Sequence, residues 1–214
     1  MPDPVVRRGV TAIVVAAGAG SRYGEPKHRL ELGGRPLWQW SVDAFRTAGI
    51  PEIVVVGDVP GGIAGGPRRR DSVLNGLNAL APGSAWVLVH DAARPLVSAA
   101  LIGAVVDSAF AGGVDGVIPG IPLSDTIKSI EGDLVVDTVD RSGLVAVQTP
   151  QAFRTSILVE AHNEVASDDA TDDATLVERI GGSVRVVRGE TTNIKITYPD
   201  DLALAESLLR RRQQ

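Results

Sequence analysis

The chain has 214 residues, a formal net charge of −5 and 44% hydrophobic residues, enough to bury the core of one large domain and too apolar for a disordered chain. It has no cysteine, which excludes a disulfide framework, a thiol nucleophile and a cysteine metal site. Aromatics are 4% and acids outnumber bases, which excludes a broad nucleic-acid surface with stacking platforms, so any anion site must be local.

The opening segment "MPDPVVRRGV" lacks the apolar core of a secretory signal. No later stretch reaches the roughly 18 uninterrupted apolar residues of a membrane helix, so a soluble, cytoplasmic protein is expected. Apolar, β-rich runs then recur along the chain: "TAIVVAA", "EIVVV", "AWVLVHD", "VDGVIPG" and "VRVVRG". Between them lie segments with helical spacing. In "LWQWSVDAFRTAGI", Leu37, Trp38, Val42 and Phe45 share a face and Gly49 is a stop signal. "SVLNGLNAL" places Val73, Leu77 and Leu80 together, "LIGAVVDSAF" is a third helix, and "DDLALAESLLRRRQQ" reads as an amphipathic helix closing the sheet with a solvated basic end.

Alternating strands and helices, with strands that are continuously apolar, predict an α/β, Rossmann-like fold. Its mostly parallel sheet has helices on both faces. With no repeat, low-complexity tract or linker, residues 1–214 read as a single domain. One segment departs from the alternation: "SDTIKSIEGDLVVDTVDR" holds two short β-like runs around "EGD" and reads as a projecting hairpin. Pattern alone leaves a surface flap and a dimerisation arm open.

Ligands of parallel sheets bind at the carboxyl ends of the strands. The polar clusters fall there: "GAGSR" after the first strand, "HDAARP" after "WVLV" and "PLSDT" after "GVIPG". In "VAAGAGSRYGEPKHRL" a glycine-rich turn leads into Arg22 and Lys27, a combination that brings backbone N–H groups and cations to an anion. A P-loop's Gly-x4-Gly-Lys is absent, and Gly18, Gly20 and Gly24 miss the Gly-x-Gly-x-x-Gly spacing of dinucleotide folds. The cations favour a triphosphate whose leaving group is charge-compensated.

"AAGAGSRYGEPK" resembles the signature loop of sugar-phosphate nucleotidyltransferases. Together with "VHDAARPLV", "VDRSGLVAVQTPQAF", "TDDATLVE" and "NIKIT" it resembles the 2-C-methyl-D-erythritol 4-phosphate cytidylyltransferase family. The resemblance implies an enzyme that joins CTP to 2-C-methyl-D-erythritol 4-phosphate and releases pyrophosphate, in non-mevalonate isoprenoid precursor synthesis. It implies that Arg22, Lys27 and Lys195 are catalytic cations on the triphosphate and α-phosphate. It places Ala16, Ala17 and Gly18 against the nucleotide by their backbone, Gly66 and Ser72 at the cytosine edge beside Arg69, and Asp91 and Ala92 at the metal and ribose. Arg68 and Arg70 are expected to be a solvated patch.

For the acceptor the resemblance points to Thr126, Lys128, Arg141, Thr149 and Thr171. It also implies a homodimer through an arm at residues 121–148, with Arg141 serving the partner's site. Mg²⁺, or another divalent cation, is the expected cofactor, held mainly through phosphate oxygens with Asp91 as its protein ligand. CTP and a polyol phosphate are the expected partners, with neither nucleic acid nor membrane. His28 and Arg29 stand where the family usually has a small or amide residue and an aromatic. A ribitol 5-phosphate cytidylyltransferase, a catalytically silent CTP-binding homologue and an NAD-binding oxidoreductase are the competing readings.

Overall fold

The computed structural model describes residues 6–18, 23, 30–165 and 170–212. The expected strands are β1 (Val10–Val15), β4 (Glu52–Val56), β5 (Trp86–Asp91), β6 (Gly116–Pro122) and β11 (Val184–Arg188), all running in one direction. Two strands that the sequence pattern did not show run against them: β10 (Gln151–Arg154), between β5 and β6, and β9 (Val145–Val147), on the end of β6. The sheet order is β11-β6-β10-β5-β1-β4.

Period-two alternation sorts each strand's side chains between two cores. Ala12 and Val14 of β1, and Trp86 and Leu88 of β5, face one layer, which holds Val42 and Phe45 of α1 (Leu37–Thr47) and Leu101, Ile102 and Val105 of α3 (Ala99–Phe110). Ile13, Val87 and Val89 face the other layer. There they meet Val73 and Leu77 of α2 (Arg69–Asn78), Leu158 and Ala161 of α4 (Thr155–Glu164), and Leu176 and Val177 of α5 (Asp173–Arg179). Truncating a buried side chain such as Ile13 to alanine would cost about 2–5 kcal/mol.

Three local features aim the elements at the strand ends. Gly76 lets α2 lie against β1: a Cβ there would stand 2.7 Å from the Ile13 methyl. The start of α2, with Arg69, is thereby drawn toward the end of β5. Ser98 caps α3 by accepting from the Leu101 N–H at 2.9 Å, and Asp172 caps α5 by accepting from the Thr175 N–H at 3.0 Å.

The C-terminal helix, α6 (Pro199–Arg212), departs from the expectation that it closes the sheet. Ala205 and Leu209 pack in a third cluster with Leu30, Leu32, Leu37 and Ile196, over the small hairpin of β2 (Glu31–Leu32) and β3 (Arg35–Pro36). Its apolar stripe is narrow and finds a narrow partner. Arg212 at its basic end reaches Thr192 Oγ1 at 3.2 Å.

The projecting hairpin is β7 (Ile127–Glu131) and β8 (Leu134–Val139), turning at Gly132, whose φ of +62° suits a residue without Cβ. Among the described residues it pairs with no strand of the main sheet. Among the described residues no helix is long and apolar enough to cross a membrane.

Candidate active site

The register of β1 on β5 sets Val15 beside Asp91, and the Ala92 N–H donates to Val15 O at 3.0 Å. The loop Ala16, Ala17, Gly18 therefore leaves the sheet next to the Asp91 carboxylate. Gly65 seats against that loop, since a Cβ there would lie 2.2 Å from the Ala17 Cβ. Beside it the Gly66 N–H donates to Ser72 Oγ at 3.0 Å, and the buried Ser72 hydroxyl donates to Arg68 O at 3.2 Å. Within this chain Ser72 thus shapes the loop from beneath.

Asp91 lies between two cations. Arg69 Nε donates to its Oδ1 at 2.9 Å and Lys195 Nζ to its Oδ2 at 2.6 Å. Burial pushes the Asp91 carboxyl up, but Arg69 and Lys195 outweigh it and hold it well below the ordinary carboxylate range. Asp91 is thus ionised. Arg69 turns its Nη1 to Asp173 Oδ2 at 2.7 Å, and Asp173 Oδ1 accepts from His162 Nε2 at 3.2 Å.

Lys195 comes from residues 191–197, which form no regular strand or helix. Side chains hold that segment in place of a sheet ladder. Asn193 Nδ2 donates to Thr149 O at 2.9 Å, Arg94 Nη1 to Asn193 O at 2.8 Å, and Gln148 Nε2 to Glu190 O at 2.8 Å. The Ile196 N–H donates to Ala93 O at 2.8 Å, and Asn193 and Ile196 are fully buried. Lys195 projects between these anchors with 40% of its side chain exposed.

Thr149, whose bond to Pro150 is cis, sits under Asp91. Burial drives the pKa of His90 down to about 4, so its ring is neutral at ordinary pH. Its Nε2 faces the Arg94 carbonyl at 3.2 Å and must carry the proton there, which leaves Nδ1 as an acceptor for the Thr149 hydroxyl at 3.0 Å. Thr149 Oγ1 also accepts the Asp91 N–H at 3.1 Å. Its hydroxyl proton is committed to His90, so toward a ligand Thr149 presents an oxygen lone pair.

Arg69, Asp91, Arg94, Thr149, Thr171 and Lys195 line one cleft of roughly 420 Å³. Thr171 stands at its rim, preceding Asp172, which accepts from Gln151 Nε2 at 2.8 Å. Thr126, Lys128 and Arg141 are exposed on the hairpin and its base and do not line this cleft. There Lys128 donates to Thr138 Oγ1 and Arg141 to Ser124 O. Arg22 and Lys27, with His28 and Arg29, lie outside the described residues.

The expectation of a solvated patch is corrected for Arg70, which is part-buried and donates to His162 O at 2.6 Å at the end of α4, whereas Arg68 is exposed and pairs with Asp71 at 2.8 Å. Asp173, His162, Gln148 and Asn193 were not singled out by sequence. Three of them stand inside the "TDDATLVE", "QTPQ" and "NIKIT" blocks, whereas nothing around His162 marked it.

Comparison with known proteins shows the family. The family model for 2-C-methyl-D-erythritol 4-phosphate cytidylyltransferase matches residues 10–211. A relative of that name from Rubrobacter xylanophilus is 43% identical, over 96% of this chain and 97% of its own. One from Nocardia farcinica is 43% identical over 95% of each. A crystal structure of the enzyme so named from Thermus thermophilus superposes with a TM-score of 0.80 at 37% identity, covering 92% of this chain and 98% of that one. The chain belongs to the 2-C-methyl-D-erythritol 4-phosphate cytidylyltransferase family.

Proposed function

We propose that this chain transfers the cytidylyl group of CTP to the phosphate of 2-C-methyl-D-erythritol 4-phosphate, in the cytoplasm, for the non-mevalonate route to isoprenoid precursors. The observation that carries the reading is the ionised Asp91 held between Arg69 and Lys195, beside the Ala16 to Gly18 loop and in one cleft with Thr149 and Thr171.

An acceptor phosphate oxygen attacks the α-phosphorus in line. The new P–O bond forms as the α–β bridge bond breaks, and pyrophosphate leaves with the bonding pair. The nucleophile is already an anion, so no general base is required. The barrier is the meeting of anions, which preorganised cations lower. Lys195 is the mobile cation: its side chain, 40% exposed, can turn from Asp91 to the α-phosphate. Arg22 and Lys27 hold the triphosphate, Ala16, Ala17, Gly18 and Ala92 approach the nucleotide through their backbone, and Gly66 and Ser72 set the loop at the cytosine edge. Thr149 and Thr171 meet the polyol hydroxyls, Thr149 as acceptor.

Mg²⁺ fits this donor set. The ionised Asp91 oxygens each keep a lone pair beyond the one taken by Arg69 or Lys195, and phosphate oxygens supply the remaining ligands. When bound, the cation would neutralise charge on the phosphates.

The hairpin supports a homodimer. Ile130, Leu134, Val135 and Val136 are all more than half exposed, an apolar surface that a second copy would cover. In that arrangement Thr126, Lys128 and Arg141 are offered to the neighbour's acceptor, the guanidinium to its phosphate.

The test is pyrophosphate release with CTP and Mg²⁺, comparing 2-C-methyl-D-erythritol 4-phosphate with ribitol 5-phosphate. Turnover with the first is expected. Turnover with the second alone would move the chain to the rival acceptor, and CTP binding without release from either would make it a silent homologue.

A further inference from the structure

Behind Asp91 lies a group of titratable side chains that the transfer step does not use. Arg69 bridges two carboxylates, giving Nε to Asp91 at 2.9 Å and Nη1 to Asp173 at 2.7 Å. The Asp173 side chain is 1% exposed and that of His162 is fully buried. A carboxylate oxygen only accepts, so His162 donates through Nε2, while its Nδ1 has no partner among the described residues. The single hydrogen bond of that ring therefore serves to fix Asp173.

A guanidinium has a planar fork that can take both oxygens of one carboxylate. Left alone with Asp91, Arg69 would do so and compete with Lys195 for Oδ2. The second donor beside Nε is Nη2, and among the described residues it makes no bond to Asp91: Asp173, holding Nη1 on the opposite edge, fixes the guanidinium plane so that Nε alone meets the carboxylate. We propose that Asp173, locked by His162, is a positioning residue: by holding Arg69 to one oxygen of Asp91 it reserves the second oxygen for Lys195. This rests on the reading of Lys195 as the cation that meets the α-phosphate. Arg69 then supplies the standing countercharge to Asp91, and Lys195 is aligned yet free to leave.

Asp173→Asn tests this, since it keeps the shape and an acceptor for His162 but removes the charge that competes for Arg69. The first readout needs no substrate: acylation of the Lys195 amine by an N-hydroxysuccinimide ester, followed by peptide mass spectrometry with Lys128 on the hairpin as internal reference. Release of Lys195 from Asp91 should raise its labelling relative to Lys128 by about threefold or more. Unchanged relative labelling would overturn the proposal.

The second readout is turnover with CTP and the acceptor. Asp173→Asn should lower kcat by about tenfold with KM within about twofold, yet cost less than about threefold further in a Lys195→Ala background, because both act through one network. A full tenfold loss in that background, or a shift in KM alone, would make Asp173 a structural residue and nothing more. Should Asp173→Asn not fold, His162→Gln takes its place: it loosens Asp173 without removing charge, and unchanged Lys195 labelling in the folded variant overturns the proposal equally. If the wild-type chain turns over neither acceptor, the substrate reading fails, and the labelling experiment still decides the network.

Discussion

The cleft and the hairpin solve opposite problems. In the cleft, charge is buried and three central groups are held from two sides: Asp91 by Arg69, Lys195 and its own N–H on Thr149, Arg69 by two carboxylates, Asn193 by Thr149 and Arg94. On the hairpin the reverse holds. Leu134 is 71% exposed, its apolar neighbours are exposed too, and among the described residues the two strands pair with each other and with no third strand. Dipoles and cations fixed by folding need little rearrangement when charge develops. An isolated two-stranded ribbon with an apolar face is marginal in water and is stabilised by what covers it.

The comparison breaks most readily at Asp91. Asp91→Ala should lower turnover by about a hundredfold, because it removes the anion that aligns two cations and leaves Lys195 without a partner; steady-state pyrophosphate release checks it, and a loss under about fivefold would mean that the cations align themselves. Lys195→Ala should lower turnover by at least about tenfold with the melting temperature little changed, as should Lys27→Ala. Near-normal rates in both would remove the role given to these lysines.

On the hairpin side, Arg141→Ala should lower turnover by about tenfold through loss of a charge-assisted contact to phosphate. Mixing that variant with Lys195→Ala chains should restore part of the activity, since one site of each mixed dimer then has both groups. Absence of rescue, with exchange of subunits demonstrated, would place Arg141 in its own chain's site. Leu134→Asp with Val136→Asp should shift the protein from dimer to monomer in sedimentation while leaving the helix signal intact. A dimer that survives would assign the interface elsewhere.

The smallest expected effect is on stability below neutral pH. His90 titrates near 4 when folded, against about 6.5 when exposed, so its contribution is present above about pH 6.5 and is lost as pH falls toward 4. The melting temperature should fall by about 3 °C between pH 7 and pH 5.5 from this group, and His90→Gln should flatten that slope. Asp91 and Asp173, both held below the ordinary carboxylate range, contribute above about pH 4 and lose their part only below it, outside this window.

The two regions also differ in how legible they were. The hairpin could be read from two β-like runs around "EGD", because its structure is local: adjacent residues pair across a tight turn. The five parallel strands were legible because burial on both faces demands continuous apolar runs. β10 was not, being four residues long and surrounded by polar motif residues, and α4 and α5 carried no cap signal that the pattern singled out. Arg68 and Arg70 read as one solvated patch around Arg69, yet Arg70 anchors α4 while Arg68 pairs locally, and Arg69 between them bridges two buried carboxylates. Consecutive helical positions point in different directions, and what each meets depends on elements far along the chain.

By itself the sequence determined the α/β class, the strand ends as the place of the chemistry, and the residue types that an anionic transfer needs. These are properties of local composition and period, which a chain carries before it folds. Only the tertiary structure decided that Lys195 and Arg69 share Asp91, that Asp173 and His162 stand behind them, that Thr149 gives its proton to His90, and that α6 covers a hairpin rather than the sheet. Those are contacts between residues up to about a hundred positions apart, set by packing and by the requirement that buried charges and polar groups find partners.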